Sequence, residues 1–209
     1  MSKILPRQIY AQSAVELAPK LLGKLLVREI EDQLLISRIV EVEAYMGGED
    51  TASHASRGPT PRNRTMFGPP GHAYVYLIYG VHHCLNIVTG PIDSGQAVLI
   101  RALEPLTGVE FMQAKRKRTK LRELTNGPGK LCQALDVDKT MDGHDLCLGQ
   151  KLWVEDAPIP AEIICASPRI GISGDEAALA RPWRFFLHGN NFVSPSKLNR
   201  HCIPYNSQP

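Results

Sequence analysis

No apolar run in the 209-residue chain approaches the roughly 18 residues needed to cross a membrane; the longest candidate, residues 73–81, is broken by three tyrosines and a glycine. The opening residues MSKILPRQIY have no apolar core followed by a small-residue cleavage site, so no signal peptide is expected. Five cysteines are scattered and never form a C-x-x-C pair, which predicts reduced structural thiols in a cytoplasmic protein. There is no internal repeat, low-complexity tract or dividing linker, so one compact domain is predicted. Nor is there a strong excess of charge of one sign: 24 basic against 21 acidic residues leaves +3, too little by itself to name a polyanionic partner. Several chemical signatures are missing as well. Leu131 follows Gly129-Lys130 where a P-loop needs Ser or Thr, and no G-x-S-x-G occurs. His72, His82, His83 and Cys84 match no standard zinc spacing, and adjacent strand histidines point to opposite faces, so neither metal nor cofactor is expected.

What is present is turn-forming and mixed. Seventeen glycines and 16 prolines predict many turns and short elements. Residues 13–22 read as a helix opened by a polar cap and closed at Gly23. Residues 24–30 and 34–45 alternate as paired strands about Glu31-Asp32-Gln33. Periodicity then dissolves over residues 46–71, a loop long enough to be functional or disordered. Strands are predicted over 73–78, 85–88 and 97–103, helices over 107–120 and 128–135, and short strands near 151–154, 161–166 and 183–187. This order lacks βαβ alternation. It predicts an α+β domain over residues 1–194 and a peripheral tail over 195–209.

Three features bear on chemistry. Glu41, Glu43 and Tyr45 share one side of a strand that runs directly into the long loop. A half-solvated sheet would look the same, but sites are often built where such strands end. The loop carries Arg57, Arg62 and Arg64 with no acid after Asp50, and residues 115–122 hold six cations in eight positions. Both runs suit phosphate contacts, and both also suit a solvated surface. Tyr74 and Tyr76 share a strand face, while Tyr79 stands beside Gly80 at the tip of an expected hairpin. Aromatic rings near basic loops can stack on unstacked bases or wedge into a duplex. Two other readings stay open. A carbohydrate hydrolase could use Glu41 and Glu43, whose carboxyls would stand roughly 6.5–7 Å apart; a catalytically idle DNA-binding module would keep only the wedge and the basic loops.

The stretches EVEAYMGGEDTASHASRGPTPRN, MFGPPGHAYVYLIYGVHHCLNIV, AVLIRALEP, NGPGKLCQAL, PRIGI and WRFF span residues from about 20 to 194. Together they closely resemble the alkyladenine (3-methyladenine) DNA glycosylase family in its short, bacterial form. The resemblance implies a monofunctional enzyme that flips alkylated or deaminated purines out of double-stranded DNA and hydrolyses their N-glycosidic bond. It implies a single α+β domain with a curved antiparallel sheet, surrounding helices and a protruding β-hairpin, working in the cytoplasm at the nucleoid; the absence of an obvious apolar stripe beyond the core suggests a monomer. Glu43 looks like the general base that activates water, with Arg101 and the carbonyl of Ile170 helping to hold it. Tyr45, His54 and Tyr76 look like the walls that stack on the extruded base, Asn86 like the group that excludes guanine, and Tyr79 like the intercalating wedge. Thr60, Arg62, Arg64 and Lys130 are assigned to the DNA backbone. Cationic alkylpurines are already good leaving groups, whereas neutral lesions would need an acid that the motifs do not identify. One departure stands beside the wedge, where Val81 replaces the Met of several family members.

Overall fold

The computed structural model describes residues 3–205. Helices α1 (Arg7–Tyr10), α2 (Ala14–Leu21), α3 (Val109–Arg116), α4 (Pro128–Ala134) and α5 (Glu176–Ala180) surround one antiparallel sheet of nine strands. The strands are β1 (Leu25–Ile30), β2 (Gln33–Tyr45), β3 (Ala73–Ile78), β4 (His82–Thr89), β5 (Gln96–Thr107), β6 (Leu152–Glu155), β7 (Ile164–Ser167), β8 (Arg184–Leu187) and β9 (Ile203–Pro204). The main path runs β3-β4-β5-β2-β8-β7-β9, with β6 and β1 joined to it through β2. This is the α+β class expected.

Local sequence explains several boundaries. Ser13 and Glu16 form a reciprocal capping box that starts α2. The paired alternation about residues 31–32 becomes the β1–β2 hairpin, Ile30 opposite Gln33. Strand β2 is the organiser: β5 lies along one edge, while β1 and then β8 share the other, the latter opposite Glu41, Val42 and Glu43. Its pairing with β5 is irregular on both sides of Glu41. Ile39 faces Leu103, Glu41 faces Ala102, and Val42 faces Ile100, so Arg101 has no opposite residue. A bulge of this kind re-aims a side chain.

Two apolar clusters form on the sheet. The larger takes Val40, Val42 and Ala44 from β2 together with Leu17 and Leu21 of α2 and Leu131 of α4. The smaller gathers Tyr74, Tyr76, Val88 and Leu99 beneath Ala55 and Met66 of the 46–71 loop. That loop is folded through its own polar groups. Asn63 donates to the carbonyls of His54 (2.8 Å) and Gly58 (3.1 Å) and accepts from Thr60.

The expectation of uniformly free thiols is corrected here. Cys165 of β7 and Cys202 are disulfide-bonded across 37 residues of chain, while Cys84, Cys132 and Cys147 are free. The described part of the tail, residues 195–205, adds β9 to the edge of β7 and places Tyr205 edge-on to Phe185 with ring centres 5.2 Å apart. Among the described residues no helix is long and apolar enough to cross a membrane.

Candidate active site

The solvated-face alternative for Glu41 and Glu43 fails, because both carboxylates are fully buried. Burial of a charge requires partners, and each has several. Glu43 Oε1 accepts the Ile170 amide N–H at 2.7 Å, and Oε2 accepts the Tyr45 hydroxyl at 2.8 Å. Arg101 Nη1 stands 3.2 Å from the same Oε2. Glu41 Oε1 accepts from Arg101 Nε (3.0 Å), Arg184 Nε (2.7 Å) and Ser194 Oγ (2.7 Å), and Oε2 accepts the Ser194 amide at 2.7 Å. Arg101 therefore bridges the two carboxylates from the position left unpaired by the bulge.

The titration behaviour follows from these contacts. Burial pushes Glu41 up, but the charges of Arg101 and Arg184, with hydrogen bonds from Arg184 and Ser194, hold it below the usual carboxylate range. Burial pushes the Arg101 guanidinium down, and the charges of Glu43 and Glu41 more than reverse that, so it stays charged. Burial, then the neighbouring Glu43 charge, pushes the Tyr45 phenol far up, so it remains a neutral donor.

Tyr45, Arg101 and Ile170 also line a cavity of about 240 Å³ that reaches Tyr76 and Tyr79. Glu43 lies immediately behind these three residues rather than in the cavity wall. An adjoining cavity of about 160 Å³ shares Tyr45, Tyr76, Ile78 and Gly171 and is closed by His54, Tyr74 and Asn86. His54 meets Tyr76 edge-on at 4.5 Å between ring centres. Burial, reinforced by the Arg62 charge, lowers the His54 pKa and favours a neutral ring. Asn86 is fixed on β4 by donating to the Tyr74 carbonyl at 3.0 Å. No lysine lines either cavity.

Tyr79 and Gly80 are the central residues of the turn between β3 and β4, closed by the Val81 N–H on the Ile78 carbonyl at 3.2 Å. Both have left-handed φ, +53° and +70°, the combination found in type I′ hairpin turns. Tyr79 is 83% exposed and Val81 is 70% exposed. Hence the structure brings Glu43, Arg101, Tyr45, Ile170, Tyr76, His54 and Asn86 together, with Tyr79 at the open side.

The four residues assigned to the DNA backbone are differently placed. Thr60 is engaged with Asn63, Arg62 donates to the Leu77 carbonyl at 2.9 Å, and Lys130 donates to the Asn126 side chain at 2.7 Å. Arg64 is exposed at the start of a short 3₁₀ turn. Ile170 meets Glu43 through its amide N–H, a contact separate from the water-holding role assigned to its carbonyl.

Sequence reasoning missed two supports. One is the Arg184–Ser194 pair beneath Glu41. The other is Arg169, which grips buried Asp50 through both oxygens (2.5 and 2.7 Å), donates to the Ala44 carbonyl and lies 4.7 Å from the Tyr45 ring centre. Arg169 thereby ties the long loop to the segment carrying Ile170. The pattern of alternation offered no signal for either partner, since Arg169 and Arg184 lie more than a hundred residues downstream.

Comparison with known proteins gives the chain a family. Residues 8–191 match the family described as methylpurine-DNA glycosylase (MPG). A protein of Methanocella arvoryzae named as a candidate 3-methyladenine DNA glycosylase is 50% identical over 194 residues, covering 91% of this chain and 96% of its own. Proteins named in the same way from Carboxydothermus hydrogenoformans and Desulfitobacterium hafniense are 48% and 45% identical, with 91% and 92% of this chain and 98% of each relative covered.

Proposed function

This chain belongs to the methylpurine-DNA glycosylase family, and from that premise we propose that it excises damaged purines from double-stranded DNA by activating water at Glu43. The observation that carries the proposal is the setting of that carboxylate. An ionised carboxylate offers about four acceptor sites. Ile170, Tyr45 and Arg101 occupy three and fix its orientation, which leaves one for the attacking water. As the water attacks the anomeric carbon, its proton passes to Glu43 and the Arg101 charge steadies the site. The purine leaves with the electrons of the broken N-glycosidic bond, a small demand for a cationic alkylpurine.

A base must leave the stack to reach this carboxylate, at a cost of a few kcal/mol that damage or mispairing reduces. The extruded purine stacks among Tyr45, His54 and Tyr76, and a neutral His54 does not repel a cationic ring. Asn86 crowds the exocyclic amino group of guanine, and exposed Tyr79 fills the vacated duplex. Arg62, Arg64, Thr60 and Lys130 face the backbone once the loop side meets phosphate. The lack of a lysine on either cavity wall supports direct hydrolysis over a Schiff base and lyase step.

The test uses duplexes with a single hypoxanthine, ethenoadenine or uracil, plus methylated duplex, with EDTA present and alkaline cleavage of abasic sites. The parent is expected to release damaged purines and leave uracil in place; Glu43→Gln is expected to bind the same duplexes without release. Equal release by parent and variant overturns the role of Glu43. Release that depends on free sugar substrates rather than DNA would favour the carbohydrate reading.

A further inference from the structure

Away from the active site, Cys165 of β7, His188 after β8 and Cys202 before β9 present their two Sγ atoms and an imidazole nitrogen within 4.8 Å of one another. The disulfide accounts for the two sulfurs. It does not account for the ring. Among the described residues the His188 ring makes no hydrogen bond or ion pair; only its backbone N–H is engaged, on the Ile163 carbonyl at 2.8 Å, and the residue lies exposed beside a buried Cys165.

We propose that Cys165, Cys202 and His188 form a binding site for a zinc-class divalent ion, loaded when the disulfide is reduced. Two thiolates and one imidazole are the donor set that borderline-soft Zn²⁺ prefers, and the exposed side of His188 leaves the fourth tetrahedral position to water. Loading requires a dithiol reductant. That reductant gives two electrons and two protons to the Cys165–Cys202 bond and becomes a cyclic disulfide. The ion then displaces one proton from each thiol. The sulfurs must separate to about 3.8 Å, the spacing that two Zn–S bonds of about 2.3 Å impose at a tetrahedral ion. The Cα atoms of Cys165 and Cys202 lie 5.0 Å apart, so side-chain rotation supplies much of that movement.

The ion would take over the disulfide's mechanical task. Besides this link, the described tail is held near its end by two β9–β7 residue pairs, the Tyr205 amide on the Ile164 carbonyl and the Tyr205 ring against Phe185. The tail carries Asn199, which accepts from Arg184 Nη2 at 2.6 Å and donates to the Ser194 carbonyl at 3.0 Å. Arg184 and Ser194 are the partners of Glu41. The clip thus secures, through the tail, the network that holds Arg101.

The test takes the full chain, reduces it with dithiothreitol, removes the reductant anaerobically and titrates Co²⁺ as a spectroscopic probe. One equivalent is expected to give a thiolate-to-cobalt charge-transfer band in the near ultraviolet with tetrahedral bands in the visible, both erased by Zn²⁺. The unreduced chain should give neither. Cys202→Ser should abolish the charge-transfer band. His188→Ala, an exposed change that leaves the fold alone, should weaken metal binding by more than the roughly 10–100-fold that loss of a mere supporting partner costs. Absence of the band in reduced parent protein, or binding unchanged by His188→Ala, overturns the proposal and leaves the pair as a plain disulfide.

Discussion

Replacing Glu41 by Gln keeps the side chain's shape and removes its charge beneath the active site. In the parent, four hydrogen bonds converge on the two oxygens of Glu41, two of them from guanidinium groups. Glutamine offers one acceptor oxygen and puts an NH₂ against donors. Arg184 would then lose its carboxylate partner, and Arg101 would keep only that of Glu43. Breaking a buried pair from one side costs about 3–5 kcal/mol, which at roughly 2–4 °C per kcal/mol for a chain of this size lowers Tm by about 6–20 °C. The assay is thermal unfolding followed by circular dichroism. Acid supplies an internal check. Because the folded pKa of Glu41 is depressed, its contribution is present above the unfolded value of about 4.3 and fades as pH falls through the folded value. The gap between parent and variant should therefore narrow between neutral pH and about pH 3. Adding Arg184→Met to Glu41→Gln should cost less than the sum of the single changes, because it removes one of the stranded cations. A Tm change under about 2 °C at neutral pH, where the buried-pair cost predicts several times that, would refute the reasoning, and so would a gap indifferent to acid.

Three further outcomes follow from the same geometry. Tyr79→Ser should leave stability within about 0.5 kcal/mol, since the ring is exposed, yet reduce excision from duplex far more than from single strands; equal losses on both substrates would remove the wedge role. Asn86→Gly should admit guanine lesions at a stability cost of about 1–3 kcal/mol from the lost hydrogen bond and strand glycine, read from the released bases by chromatography; an unchanged product profile would remove the gate role. Asp50→Asn should strand buried Arg169 at about 3–5 kcal/mol and expose residues 46–71 to limited proteolysis, and protection equal to the parent would show that the clamp does not hold the loop.

Much of the sheet was legible because its signals are local. Ser13 and Glu16 announce a helix start within four residues, and the alternation through residues 24–45 specifies a hairpin with one register. Glu41 shows where locality ends. A carboxylate on an alternating strand looks identical whether it faces water or Arg184 and Ser194, which arrive from 143 and 153 residues away. Arg101 reaches it through a bulge, and a bulge leaves no trace in a period-two pattern. The site residues were instead carried by long motifs resembling a family, which record side-chain identity and not which atom meets which. Hence Glu43 and Arg101 were named together, while the Ile170 amide that holds Glu43 went unnamed. The Cys165–Cys202 pair is the limiting case: two β-edge segments bring these residues together, and no spacing rule joins cysteines 37 residues apart. What fails to show in the sequence is, in each case, a contact between segments far apart in the chain, which no local period records.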